Sequence, residues 1–500
     1  MTSSDLRRWR GACALALTLL TVAGCRLPTS DPGPTSSPSP TPRPFTVMST
    51  DAVRVSDPAA MTDPASSMLA LNVFQRLLTA NPGEPALKPD LARDCLFTSV
   101  TTYTCTLNPG VTFHNGHLLT ASDVKFSIER AARLNVAGSS ASLLSSLRRI
   151  ETPDDITVRF RLSRPDTQFG WALASPAASI VDEEVYDADQ ISGVERPAIG
   201  SGPYAVTLFE PERLELARFG EYVGRTGPSL GALVYRTAPD SASIEDAMNK
   251  GLVDVVWRGL NAAAVTRYLQ QVGQSPDDVT ANGYAQQVLT GKRVLQLAWS
   301  PGSANRANKP LRQAITVALQ GDRTLESVIP AGVPGQAPSF PLGGRAVPKV
   351  TWKNRINLTL GYDSSTPNGL DLATQIRTRL ENTGGLSVQL RPDDPGSDLQ
   401  LLDRKAWTAT GLAWLQPYLD APLRASAPGV EAAETAYRQA TDDREADRLL
   451  GILQKQVAAD QVLLPISQSD EYLYTRAGVT VSPTSYGPGW QLGLFGMRNG

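Results

Sequence analysis

Histidine is almost missing from this chain, whose 500 residues contain two, His114 and His117. A Ser-His-Asp hydrolase has little material to work with on that supply. A metal site would need more ligands converging than HNGH offers, so no metal is expected. The phosphate-cradling motifs are missing too. There is no G-x-G-x-x-G and no P-loop, since Gly291-Lys292 lacks both the upstream glycine and the following Ser or Thr. A G-x-S-x-G nucleophile elbow is also lacking. Charge of one sign is not in excess: 47 Lys and Arg stand against 49 Asp and Glu, a net charge of −2. Without a basic field, nucleic acid is not an expected partner. The paired acids Asp393-Asp394 and Glu183-Glu184 lie in polar runs, and nothing favours a glycosidase pair. Beyond the N-terminus no run of 18 apolar residues occurs, so no second segment is expected to span a membrane.

What is present starts with length. Five hundred residues exceed what one hydrophobic core supports, so two or three domains are expected. Residues 1–24 read as a signal peptide: Arg7, Arg8 and Arg10 precede a short apolar stretch from Ala12 to Ala23. It ends in Val22-Ala23-Gly24-Cys25, which is similar to a bacterial lipobox; that likeness implies cleavage before Cys25 and lipidation of its thiol. An ordinary secretory signal is the plainer alternative. Residues 26–44 contain seven prolines among 19 residues and little that is apolar, the composition of an extended tether. In polyproline II at ~3.1 Å per residue it reaches roughly 60 Å. Of the four cysteines, Cys13 leaves with the signal, and Cys95 and Cys105 remain. They flank the polar run 98–102; a hairpin centred near Val100 sets them opposite each other, as a disulfide or as two buried thiols.

The most informative stretch is 103–130, YTCTLNPGVTFHNGHLLTASDVKFSIER. Tyr103, Cys105 and Leu107 alternate as in a half-buried strand. Asn108-Pro109-Gly110 and Asn115-Gly116 are turns. Thr120 with Asp123 makes a capping-box-like helix start, and Val124, Ile128 and Ala131 follow at helical spacing. The stretch resembles the signature of the family 5 extracellular solute-binding proteins, the peptide- and nickel-type binding components of ABC importers. The match runs in register through Tyr103, Leu107, Gly110, Val111, Phe113, His114, Gly116, Leu119, Thr120, Ala121, Asp123, Val124, Phe126, Ser127, Glu129 and Arg130. Ser56-Asp57-Pro58-Ala59, the GSGPY of 200–204 and PLRQAITVALQGDR at 310–323 are similar to further family segments. In GSGPY, Gly200 and Gly202 permit a turn that a side chain would obstruct. By this pattern His114 is a turn residue rather than a metal ligand.

The resemblance implies an α/β, two-lobed periplasmic-binding-protein-like fold of type II, with an extra subdomain in lobe I and a hinge between lobes. Residues 45–92 and 197–280, with about 470–500 returning, would form the lobe I core, 93–196 the subdomain, and 281–469 lobe II. Within lobe II, 356–390 reads as a βαβ unit with parallel strands, 432–459 as helical and 462–466 as a strand. The family often carries GWxADYxDP where this chain has TGLAWLQPYLDAP, residues 410–422. Leu412 stands at the Trp position and Leu415 at the position of the Asp that holds a peptide ammonium, with Trp414 and Asp420 displaced. An ammonium without a partner in a closed cleft is costly. A neutral, aromatic-stacking or sugar-like ligand is therefore an alternative to a peptide. The candidate ligand residues are Asp57, Trp299, Trp414, Tyr418 and Tyr486; each of the aromatics is as readily a core residue.

The expectation is a lipid-anchored, extracytoplasmic, monomeric binding protein for a peptide or small molecule. It would serve an ABC permease and use no cofactor and no catalysis. A non-transport surface sensor or assembly lipoprotein on the same fold is the second reading, and a lipoprotein hydrolase the third, discouraged by the missing motifs.

Overall fold

The computed structural model describes residues 43–80, 86–196, 198–224, 227–343, 354–482, 485–487 and 490–500. The signal peptide, Cys25 and the tether as far as residue 42 lie outside the described residues. Two long antiparallel strands, Tyr284–Trp299 and Leu463–Arg476, hold the fold together. Their pairing shifts register between Leu289 and Arg293, where Gly291 adopts φ +66°. On one side of this break Leu473–Thr475 pairs with the strand Val255–Trp257. Beyond that lies Phe45–Ser49, parallel to Val255–Trp257, and then Ala232–Thr237, parallel to Phe45–Ser49 and antiparallel to its outer neighbour Arg213–Arg218. On the other side Val294–Trp299 pairs with Leu399–Arg404. Ile356–Tyr362 and Leu386–Pro392 follow in parallel and close a ten-stranded sheet. The bulge increases local twist and bends the strands that carry it, so the two halves of the sheet are joined at a bend.

The stretch of 103–130 folds as its turns dictate. Thr102–Leu107 is an inner strand of a separate four-stranded antiparallel sheet. Helix Ala121–Leu134 starts at Thr120, whose hydroxyl accepts from Ser122 N while Asp123 accepts from Thr120 N at 2.9 Å. Cys95 and Cys105 face each other in this sheet and are joined by a disulfide. Val124 and Ile128 of this helix are fully buried in one apolar cluster with Phe113, Phe160 and Phe169. Another cluster gathers Leu295, Leu297, Leu358, Leu360, Ile376 and Leu453 around the second half of the sheet. Each such side chain contributes about 1.5–3 kcal/mol on burial.

Gly200 and Gly202 are required by close approach. A Cβ at Gly200 would lie 2.2 Å from Val73 O, and one at Gly202 would lie 2.5 Å from Val73 C. His114 clamps this loop. Its Nδ1 accepts from Gly200 N at 3.3 Å, which leaves Nε2–H to donate to Gly202 O at 3.0 Å. The ring is therefore neutral, and burial pushes it down to about 4.

The structure refines two sequence expectations. The stretch expected to be helical over 432–459 is divided into two helices, Ala427–Gln439 and Asp443–Asp460. Asp442 caps the second by accepting from Glu445 N at 3.1 Å, and a capping aspartate prefers that boundary to a helix interior. The expected strand over 462–466 runs on to Arg476 as Leu463–Arg476, because its second half pairs with a different part of the sheet. Among the described residues no helix is long and apolar enough to cross a membrane.

Candidate functional site

At the bend of the sheet, chain segments far apart in sequence bring six charges together. Arg258 donates to Asp51, to Asp403 Oδ2 at 3.0 Å and to Glu471 Oε2 at 2.9 Å. Lys405 reaches Glu471 at 2.6 Å, and Arg293 reaches Asp403 at 3.0 Å. Trp257 Nε1 takes the other oxygen of Glu471 at 2.8 Å. Arg258 itself sits at φ +50°, a left-handed conformation costing about 1–2 kcal/mol in a non-glycine residue, from which its guanidinium reaches all three carboxylates. Burial alone would raise Asp403, but the charges of Arg258 and Arg293 overcome it and hold the carboxyl at about 2. Asp51 differs. One of its oxygens is buried without a donor. Burial therefore prevails over the attraction of Arg258, Asp403 adds repulsion, and the carboxyl rises to about 7.

This network stands between cavities. Arg258, Arg293 and Glu471 line one of about 310 Å³. Asp403 and Lys405 line another of about 410 Å³, within the range of small-molecule sites. The larger one is walled by Thr62, Asp63, Pro64 and Gly138 on one side. Asp363, Gln400, Arg404, Trp407, Gln416 and Asp420 face them. Arg54 crosses between these walls with two hydrogen bonds to Asp363, at 3.1 and 3.0 Å. Burial pushes Asp363 up, and the hydrogen bonds from Arg54 outweigh it, so the carboxyl lies below its usual range. Asp63 caps helix Pro64–Val73 by accepting from Ser66 N at 2.8 Å, and burial raises it.

Helix Gly411–Leu419 supplies the other wall and explains the altered stretch. Pro417 has no N–H, which orphans the carbonyl of Ala413. Arg404 donates to that carbonyl at 3.1 Å and to Trp414 O at 3.0 Å. Burial lowers its guanidinium to about 10. Residues four apart share a helix face. Trp414 and Tyr418 turn inward: Trp414 packs on Trp490 with ring centroids 5.7 Å apart, and the Tyr418 hydroxyl donates to Asp460 at 2.7 Å. Gln416 and Asp420, on another face, line the cavity.

None of the five candidate ligand residues lines this cavity. Asp57 is fully buried and receives Arg130 at 3.0 and 2.6 Å and Ser192 N at 2.8 Å. Trp299 and Tyr418 belong to the core of the second half-sheet with Trp414. Tyr486 packs in the core that holds Val47 and Leu473. Gln416 was not singled out from sequence; the signal for it was the i, i+4 pairing with Asp420, out of phase with Trp414 and Tyr418. His117, Asp123 and Asp182 bring ligating atoms within 4.8 Å of one another. Their oxygens already have work: Asp123 accepts from the amides of Thr120 and Glu183, and Asp182 from Asn115 and from Glu184 N. His117 Nδ1 adds a contact of 3.1 Å to Asp182, and the pair braces the turn.

The chain is similar to several known proteins. It is 30% identical over 156 residues to the HTH-type transcriptional regulator SgrR of Pectobacterium atrosepticum, covering 31% of this chain and 26% of the regulator. It is 27% identical over 252 residues to the dipeptide-binding protein of Escherichia coli, covering 45% of this chain and 44% of that protein. The matched regions thus span between a quarter and a half of these relatives. In structure it is similar to the dipeptide-binding protein of Pseudoalteromonas sp. SM9913 in complex with Met-Leu. The TM-score is 0.75 with 17% identity, over 91% of this chain and 100% of that one. The mixed α/β fold is that of these periplasmic binding proteins. The sequence model of the bacterial extracellular solute-binding proteins, family 5, matches residues 86–427, more than half of the chain. With that match and the signature of 103–130, the chain belongs to the family 5 bacterial extracellular solute-binding proteins.

Proposed function

We propose that this protein is the membrane-anchored substrate-binding component of an ABC importer. It captures a peptide-like or other small solute and delivers it to a permease. The observation that carries this reading is the cavity of about 410 Å³, walled by residues 62–64 and 138 on one side and 363–420 on the other. In this reading 45–92 and 197–280, with the returning 470–500, act as one lobe. Residues 93–196 are its subdomain and 281–469 the second lobe, and the lobes close about the bend in the sheet. Lipidated Cys25 and the proline-rich 26–44 tether a monomer to the outer face of the cell membrane. No cofactor takes part, and no bond is made or broken. Native mass spectrometry of the purified protein tests the reading: a co-purifying small solute is expected. Scattering with that solute added should show a more compact particle, and unchanged dimensions with the solute bound would remove lobe closure from the account.

A second reading is a surface sensor or assembly lipoprotein on the same fold, favoured by the similarity to a transcriptional regulator. Deleting the gene separates the two. Loss of solute uptake supports import. Unchanged uptake with altered transcription supports sensing.

A further inference from the structure

A third cavity, of about 400 Å³, adjoins the proposed ligand cavity. Both are lined by Gln416 and Asp420. The third cavity lies between helix Ala121–Leu134 with the short helix Ser140–Leu144 on one side and residues 416–434 on the other. Gln416 stands where the two spaces meet. Its Nε2 donates across to Ser142 Oγ at 2.9 Å and along its own helix to Asp420 Oδ1 at 2.6 Å. Its Oε1 is buried and accepts from no protein group, while the residue as a whole is 5% exposed. A buried amide oxygen without a donor is costly, so the present rotamer is held by the bridge to Ser142 at the expense of the acceptor. Turning the amide away from Ser142 opens the boundary and offers Oε1 to an incoming N–H. The polar groups lining the third cavity include the carboxylates of Asp420 and Glu434, the hydroxyls of Ser142 and Ser145 and the amide of Asn135, with no cation among them, which suits a ligand segment rich in N–H donors.

Resting on the reading of a peptide-like ligand, we propose that the third cavity is a second compartment for the distal part of a longer ligand, and that the Gln416–Ser142 bridge is the divider that sets ligand length. An extended peptide advances about 3.3–3.6 Å per residue, so pentaalanine spans roughly 17 Å, long enough to reach past the divider, and dialanine need not cross it.

The test is calorimetric titration of the full protein with dialanine and pentaalanine, read as the ratio of the two affinities. Ala132→Trp places an indole in the third cavity from helix Ala121–Leu134. Ser142→Ala removes the bridge and keeps Gln416. In the unmodified protein the ratio should favour pentaalanine by roughly tenfold, the worth of about 1.4 kcal/mol of added contacts. Ala132→Trp should bring it close to one, and Ser142→Ala should raise it severalfold. An unchanged ratio in folded Ala132→Trp, or a lowered one in Ser142→Ala, overturns the inference. Should Ala132→Trp fail to fold, Ser142→Ala decides. If dialanine binds the unmodified protein and the ratio is one, the compartment fails and the peptide reading stands. If neither peptide binds, the peptide reading fails and takes the compartment with it.

Discussion

His114, partly buried, and Asp51, buried, are both titratable groups packed against loops, and they answer to pH in opposite directions. His114 has a hydrogen bond for each ring nitrogen, an amide donor at one and a carbonyl acceptor at the other. Its surroundings are built for the neutral ring, and the charged form is excluded by burial. Asp51 has one strong partner, Arg258, and one oxygen with no donor. Its surroundings accept the charge incompletely, so the proton is held more tightly than in the unfolded chain. Full satisfaction of one protonation state makes a site structural. Partial satisfaction leaves it responsive, and in this protein the responsive group lies at the bend where the two half-sheets meet.

The largest effect should come from breaking the network around Asp51. Arg258→Met strips Asp51 of its partner and leaves Asp403 and Glu471 with one cation each, Arg293 and Lys405. Removing one partner from a buried ion pair costs about 3–5 kcal/mol. Urea unfolding of Arg258→Met should show a loss of that order. A variant as stable as the parent would mean that the six charges are not held together as the geometry has them.

Next in size are two opposing pH slopes. For His114 the folded value, about 4, lies below the unfolded 6.5. The unfolded chain binds the proton more readily in that window, so His114 adds stability as pH rises through it. For Asp51 the folded value, about 7, lies above the unfolded 3.8, so its contribution falls as pH rises through that window. The groups facing Asp51 are Arg258, Asp403, Asp363 and the Tyr235 ring, and of these Asp403 titrates near 2, outside the window. Each slope is at most about 1.4 kcal/mol per pH unit for one proton, and in the unmodified protein they oppose each other. Melting temperatures between pH 5 and 7 should rise with pH in Asp51→Asn and fall with pH in His114→Gln. Parallel curves in the two variants would show that one of the two groups is not buried as described.

The same contrast measures how far the sequence could be read. His114 lies in a stretch whose every turn is marked by Asn, Pro or Gly, and each local signal there acts within a few residues. The capping box at Thr120, the strand of Tyr103 and the turn role of His114 were all legible. The Asp51 network joins positions 51, 258, 293, 403, 405 and 471. No periodicity or spacing marks them, because what unites them is a sheet assembled from distant strands. The stretch of 410–422 falls between. Its break from the family pattern was visible. Its two aromatic residues drew attention as ligand candidates, yet large apolar side chains are what a core takes first. The helix phase that separates Trp414 and Tyr418 from Gln416 and Asp420 was present in the sequence once the stretch is read as a helix.

The smallest effect should come from Arg54, which crosses the same two halves of the molecule without the burial. Its side chain is 41% exposed and that of Asp363 30%. An exposed ion pair contributes about 0–1 kcal/mol and is screened by salt. Arg54→Ala should therefore change urea stability by less than about 1 kcal/mol, and the difference should vanish in high salt. On the proposed closure of the lobes the pair would form and break with the cavity walls, which the Arg258 network cannot do without exposing unpaired charge. If Arg54→Ala proved as costly as Arg258→Met, burial would not be what distinguishes the two sets of charges, and the contrast between a permanent joint and a releasable clasp would fall.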